Sequence, residues 1–331
     1  MATIAEQLTS LANTKTAIKD AIVAKGVEVA DTDPFSAYPS KIGQISGGGA
    51  PATKFGVSID NLLGNVDENG YLDAPTEPFV FDGTGIKHLY FCGLNNRFNS
   101  GNAARPIPVT KILLPDLEGM SGSVSGLAEN ASRLTEVDIR KLSNIKEYSE
   151  FASAFRNCSS LSVLHMEGVV EISGGTACSN AFYDCISLKN TGLPNLTTIS
   201  GSTCCQYMYY GCVFEELGLD NLTTISGPTG CQYMFGKLAI DDAEFPKLSA
   251  ITGTNACRYW FSDSTVKRVY FPALITVVAS AFASTTSNGA FRNCTNLTEI
   301  HFRADAQATI EAMTGYSNKW GATNATIYFD L

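Results

Sequence analysis

One spacing constrains this chain more than any other feature. "SAFRNCSSL" begins at Ser153 and "NAFYDCISL" at Asn180, 27 residues on. Aligned on the aromatic, Phe155, Phe182, Tyr209, Phe235, Phe261 and Phe291 follow at intervals of 27, 27, 26, 26 and 30. Three residues after it stand Cys158, Cys185, Cys212 and Cys294; four before it stand Cys178, Cys205, Cys231 and Cys257. Between aromatics lie strand-like stretches such as "LTEVDI", "LSVLHM", "VKRVYFP" and "LTEIHF", then a second short segment, "LPNLTTISG", "LDNLTTISG" or "FPKLSAITG". A fixed period of roughly 20–50 residues marks a stacked repeat. Each unit is too small to bury its own apolar face, so like positions form columns through a shared interior.

The spacing therefore predicts a mainly β solenoid with windings of about 26–27 residues over 106–331. Alternation along a strand puts Ile300 and Phe302 inside and Glu299 and His301 outside. About ten strand-like segments, from "HLYF" to "TIYF", give outward rows. One row reads Tyr90, Leu113, Asp138, His165, Gly192, Gly218, Glu244, Tyr270, His301, Tyr328; Arg268 and Glu299 stand in the row beside it. Aromatic and small polar residues on such a face suit carbohydrate or protein recognition. Tyr90, His165, Arg268, Tyr270, Glu299, His301 and Tyr328 are its candidate partner-binding residues, against the alternative of an ordinary solvated sheet. Residues 55–105 read as a β cap with an inserted loop; "KFGVSIDNLLGNVDENGYLDAP" alternates like a hairpin turning at "DENG". Arg97, Phe98 and Arg105 lie in that loop.

The words "NCTNLTEIHF" and "DCISLKNTGLPNLTTISG" resemble the BspA-like leucine-rich repeats, and "YSNKWGATNATIYFDL" is similar to that family's last coil. The resemblance covers about residues 105–331. It implies a right-handed solenoid, of a kind usual on surface proteins that bind something, and no enzymatic activity.

The first fifty residues differ in kind. Ile4, Leu8, Leu11, Lys15, Ile18 and Ile22 make a heptad seam interrupted by a lysine. Gly26 is a stop signal. Asp33 and Pro34 then read as N-cap and first residue of a short helix carrying Phe35, Tyr38 and Ile42. A helical module over 1–45 and a Gly-rich linker over 46–54 are expected. The helix either folds back on its own chain or supplies an oligomerising or docking surface through Ile4, Leu8, Leu11, Ile18, Ile22, Phe35, Tyr38 and Ile42, a trimer included. The stretch "LANTKTAIKDAIVAKGVEVADTDPFSAYPSKI" is similar to a segment of tail and fibre proteins of tailed bacteriophages. That resemblance implies a virion component made in the host cytoplasm, with this module docking to other virion proteins.

Composition narrows the function classes. A net charge of −9 argues against a nucleic-acid phosphate partner, and no apolar run reaches the length of a membrane span. "MATIAEQLTSLANTK" lacks the basic start and apolar stretch of a secretory signal. A cytosolic beginning is therefore expected, with free thiols for the ten cysteines as small packed hydrophobes. The chain contains no Gly-x-Ser-x-Gly, no Gly-x-x-x-x-Gly-Lys and no His-Glu-x-x-His, so no catalytic residue, metal or cofactor is assigned. Asn157, Asn195, Asn221, Asn293, Asn296 and Asn324 open Asn-x-Ser/Thr triplets, read as repeat letters bonding turn backbone. The expected function is a non-enzymatic bacteriophage appendage that contacts a host-surface glycan or protein. The alternatives are a bacterial surface adhesin of the same repeat family, or a purely structural virion spacer.

Overall fold

The structure, a computed structural model, describes residues 4–23, 28–30, 32–34, 57–58, 78–90, 108–121, 125–283 and 285–331, with backbone alone for 4–11, 57–58, 89–90 and 121. The chain divides into two compact units, Met1–Ala52 and Thr53–Leu331.

In the first unit a helix spans Ile4–Val23, the segment the heptad seam marks. Ile18 and Ile22 pack on Val29 of the returning chain. Lys15, the break in the seam, donates from Nζ to the carbonyl of Asp33 at 2.8 Å. At its C-terminal end, then, the helix folds back on its own chain. Asp33 uses its carboxylate on the Ala30 amide. The helix stop at Gly26, the residues Phe35, Tyr38 and Ile42, and the linker 46–54 lie outside the described residues, as do the side chains of Ile4, Leu8 and Leu11.

The second unit is a solenoid, every recorded strand pair in it parallel. One face carries a four-stranded sheet of Phe79–Asp82, Val109–Leu113, Glu136–Asp138 and Val163–His165, and later a second of Asp242–Glu244, Arg268–Phe271, Glu299–Phe302 and Thr326–Phe329. Two windings separate them. There Gly192 and Gly218 stand at φ +69° and +67°, a left-handed conformation that a continuing strand does not hold. The "TTISG" segments form a second face, a six-stranded sheet from Asn144–Ile145 to Thr276–Val277. Its recurring glycine is dictated by contact with the winding before: a Cβ on Gly227 would lie 2.1 Å from the Gly201 carbonyl oxygen, and one on Gly201 2.4 Å from that of Gly174.

The third face consists of linked turns. Every fourth residue takes a positive φ: Ser149, Ser153 and Asn157 in one winding, Thr176, Asn180 and Asp184 in the next. Amides alternate in what they bond. Phe151, Ser153, Phe155 and Asn157 donate to Ala177, Ser179, Ala181 and Tyr183 of the next winding, at 2.6 to 2.8 Å. Ala154, Arg156 and Cys158 donate three residues back within their own winding. A chain that turns this often still satisfies its buried backbone, because its neighbour takes every second amide.

The columns expected from the spacing are present. Phe155, Phe182, Tyr209, Phe235, Phe261 and Phe291 are buried and lie ring to ring at 5.5, 5.4, 6.0, 5.1 and 6.1 Å. The nine described cysteines are free and buried. The thiols of Cys158, Cys185, Cys212 and Cys294 donate to carbonyls of the winding before, at 2.8 to 3.2 Å. That bond gives the slot a reason to hold cysteine rather than alanine. Cys204 and Cys205 are both buried free thiols, their sulfurs 3.8 Å apart in a thiol–thiol hydrogen bond rather than a disulfide.

Several details depart from the sequence reading. The first rung of the sheet face is "FVFD", whose Asp82 pairs with Leu113, not "HLYF". His88–Tyr90 sits in a separate three-stranded sheet between Val57–Ser58 and Gly119–Ser121. Val57–Ser58 pairs in parallel, and the turn "DENG" lies outside the described residues, as do Arg97, Phe98 and Arg105. The asparagines reach back a whole winding rather than to their own turn: Asn195 to the Glu167 carbonyl, Asn221 to that of Pro194, Asn324 to that of Thr295, Asn157 to the Asn130 side chain and Asn293 to the Asp263 carboxylate. Threonine hydroxyls add the same cross-winding bond, Thr197 to Val170 and Thr223 to Thr197. After the last aromatic, extra helical turns within Ala304–Gly321 bury Trp320 against Phe282 at 5.1 Å.

Two outcomes are expected. Phe182→Ala removes one member of the aromatic column and should lower unfolding free energy by about 3–5 kcal/mol in a denaturant titration. Burial pushes the Cys185 thiol from the usual 9.0 to about 12 and that of Cys294 to about 11. The native state therefore holds protons that the unfolded chain releases near pH 9. Stability from these groups is full below about pH 9 and is lost as pH rises toward 11 and 12. Denaturant midpoints measured from pH 8 to 11 should fall, and thiol titration in denaturant without reductant should find nearly all ten cysteines free.

Candidate partner-binding faces

The later four-stranded sheet gathers five of the seven residues marked on the sheet face. Arg268 faces Glu299 and Asp242 across the ladder, and Tyr270, His301 and Tyr328 occupy one row. Strand register fixes this row, since rings one rung apart on the same face must meet. His301 stacks between Tyr270 at 4.7 Å and Tyr328 at 4.8 Å. Its Nδ1 meets Asp330 at 2.9 Å and its Nε2 meets Glu299 at 3.1 Å. Arg268 forms a forked pair with Asp242, both contacts 2.6 Å.

His301, expected to point to solvent, is thus buried, with only 9% of its surface exposed. The tyrosines on either side cover it. Tyr328, at 39% exposure, and the half-buried Tyr270 present the reachable aromatic surface. Asp242, Glu244, Glu299 and Asp330 outnumber Arg268 here, so the face is acid-rich.

The other two candidates lie elsewhere. His165 belongs to the first four-stranded sheet, half-buried, with Nδ1 2.7 Å from Glu167. Tyr90 is in the three-stranded sheet and shares no row with His165. Its side chain lies outside the described residues. The sheet face is two separate patches rather than one continuous strip.

The turn face holds a cluster that the sequence reading passed over. The residue two before the buried aromatic is Ser153, then Asn180, then Tyr207, Tyr233 and Tyr259, then Gly289. The three tyrosines stand at φ 54°, 55° and 55°. Ser153 and Asn180 hold the same left-handed conformation at φ 54° and 55°, which a short polar side chain tolerates; a bulky residue there costs on the order of 1–2 kcal/mol. The rings stack on one another at 4.6 and 4.3 Å, and such a pair returns about 0.5–1.5 kcal/mol. Tyr183 and Tyr210, from the neighbouring column, stack at 4.9 Å, and Tyr210 meets Tyr207 edge-on at 5.5 Å. All five are half-buried.

Cations lie over this ladder. Arg156 sits 5.0 Å above Tyr183, Lys237 5.5 Å above Tyr210, and Arg258 and Arg292 4.7 and 5.6 Å above Tyr259. The Nε atoms of Arg156 and Arg258 are buried without an oxygen partner. The ring faces are what these guanidiniums meet. Burial raises Tyr183, Tyr207 and Tyr233 above the usual 10.0, so their hydroxyls stay protonated. The signal in the sequence was tyrosine replacing asparagine or serine in three successive repeats.

Among the described residues no group of three or more His, Cys, Asp or Glu gathers as a metal site, and no helix is long and apolar enough to cross a membrane.

The windings, ladders and surface faces define a parallel β-solenoid repeat protein. Six copies of the BspA type leucine rich repeat region match residues 126–208 and 152–303, and the chain belongs to that family. No curated protein matches the chain at a significant level. Solved structures similar to it include a leucine rich cell surface protein from Faecalibacterium prausnitzii A2-165. That protein is 14% identical, with 80% of this chain and 91% of that one covered and a TM-score of 0.36. The expected bacteriophage appendage is corrected by the family match, which falls on the BspA type repeat, whose surface-protein reading was the alternative, and gives no support to a tail or fibre segment in residues 8–45.

The turn-face geometry gives one expected outcome. Tyr233→Asn relieves a left-handed tyrosine and removes two stacked pairs, so the terms oppose and stability should change by no more than about 1 kcal/mol. Near-ultraviolet circular dichroism should show the loss of tyrosine coupling, with the far-ultraviolet spectrum unchanged.

Proposed function

We propose that this chain is a non-enzymatic recognition protein displayed at a bacterial cell surface. Its later sheet face docks a protein partner, and its N-terminal helical unit attaches or oligomerises it. The observation that carries this reading is the Tyr270–His301–Tyr328 stack, fixed by strand register and flanked by Arg268, Glu299 and Asp330. Rigid aromatics held on a flat sheet lose little entropy on binding, and tyrosine and arginine dominate contact energies at protein interfaces. The acid excess of the face favours a basic patch on the partner.

The test is binding of the full chain to purified host extracellular-matrix proteins and to intact cells. Tyr328→Ala and Arg268→Ala, both at exposed positions, should each weaken binding about tenfold or more, mostly through faster dissociation. Thermal unfolding should change little. Binding that survives the double variant unchanged would remove the sheet face from the function.

A further inference from the structure

We infer that the turn face is a second binding surface and that its ligand is an anionic glycan, a chain of sugar rings carrying carboxylate or sulfate groups. It goes beyond the sheet-face reading, since it concerns a different side of each winding.

Three features point to this ligand. The first is the choice of residue. Tyrosine occupies the left-handed slot in three consecutive windings where the two windings before them use Ser153 and Asn180. The backbone tolerates the less suited residue where a tyrosine serves a purpose other than turning the chain. The second is the balance of hydrogen-bonding groups. The strip presents phenol hydroxyls together with Arg156, Lys237, Arg258 and Arg292, so donors are in excess. Guanidinium and ammonium groups donate only, and protonated phenols donate as well. The nearby acids are largely engaged: Glu129 lies 3.7 Å from Arg156, and both Asp263 oxygens accept bonds, from Asn293 and Ser262. Asp184 remains beside Tyr183. Carboxylate or sulfate oxygens complement such a strip, although the whole chain carries −9.

The third feature is periodicity. The rings repeat once per winding, at 4.6 and 4.3 Å, and Arg258 donates to the Tyr259 hydroxyl at 3.1 Å, so cation and phenol are held together at the end of the row. A regular row of donors matches a polymer that offers the same acceptor again at each sugar. An irregular protein surface gains nothing from the repeat.

The experiment measures binding of the full chain to immobilised polygalacturonate, with neutral dextran and poly-glutamate as comparisons, over a salt series. Expected are binding to polygalacturonate that weakens as salt rises, little binding to dextran, and weaker binding to poly-glutamate. Tyr207→Asn/Tyr233→Asn/Tyr259→Asn uses the residue native to the equivalent slot at position 180, and should cost at least tenfold in affinity. Arg258→Gln/Arg292→Gln should do the same, and serves if the tyrosine variant does not fold. Tyr328→Ala should leave polygalacturonate binding intact, which separates this surface from the sheet face. Absence of polygalacturonate binding, equal binding of dextran, or full binding by the folded variants would overturn the proposal. Preference for poly-glutamate would assign the face to an acidic peptide instead.

Discussion

Backbone hydrogen bonds passed from one winding to the next are what the rest of this molecule depends on. A winding of about 26 residues cannot bond its own amides to its own carbonyls while enclosing a core. Its strands are two to five residues long and its turns reverse repeatedly. Only a neighbour at close range, in register, completes it. That one requirement explains features that look unrelated. Glycine recurs after "TTIS" because the backbones approach to carbonyl contact there. Threonine and asparagine recur because their side chains reach the carbonyls of the winding before. The aromatic recurs because a ring in the stack needs another ring above and below it.

The two candidate faces follow from the same geometry and differ in chemistry. On the later sheet, carboxylates outnumber the one arginine, and the aromatics alternate with a histidine. On the turn face, guanidiniums lie over tyrosine rings and donors prevail. A net charge of −9 is therefore an average over sides that would attract different partners. Both surfaces are pairs of neighbouring rows, multiplied by the stacking. A single favourable side chain becomes a strip wherever successive windings keep it.

The columns were legible in the sequence because a repeat displays its packing as spacing. Phe155 to Phe291 and the paired cysteine slots could be placed before any coordinate. What spacing could not give was local. "HLYF" and "FVFD" are equally strand-like, and only pairing reveals that the latter continues the row through Leu113. His301 alternates outward by rule, yet Tyr270 and Tyr328 close over it, an effect of neighbours one winding away. The break in the sheet at Gly192 and Gly218 depends on backbone angles. The tyrosine ladder was visible in principle. Its signal was a residue unsuited to its slot, which alignment on the buried aromatic tends to hide. The N-terminal wording misled for another reason: a short resemblance covers a module, while the family match rests on the much longer repeat.

The glycine at each close approach sets a rule on how such a molecule can vary. With Gly201 and Gly227 touching the carbonyl of the layer beneath, a single inserted residue in this stretch would throw every later column out of step. The eight residues from 283 to 290, by contrast, sit where the interval has already lengthened to 30. Length can therefore change by whole layers or within bulges like that one, and its reach is countable in rungs, as a ladder's is.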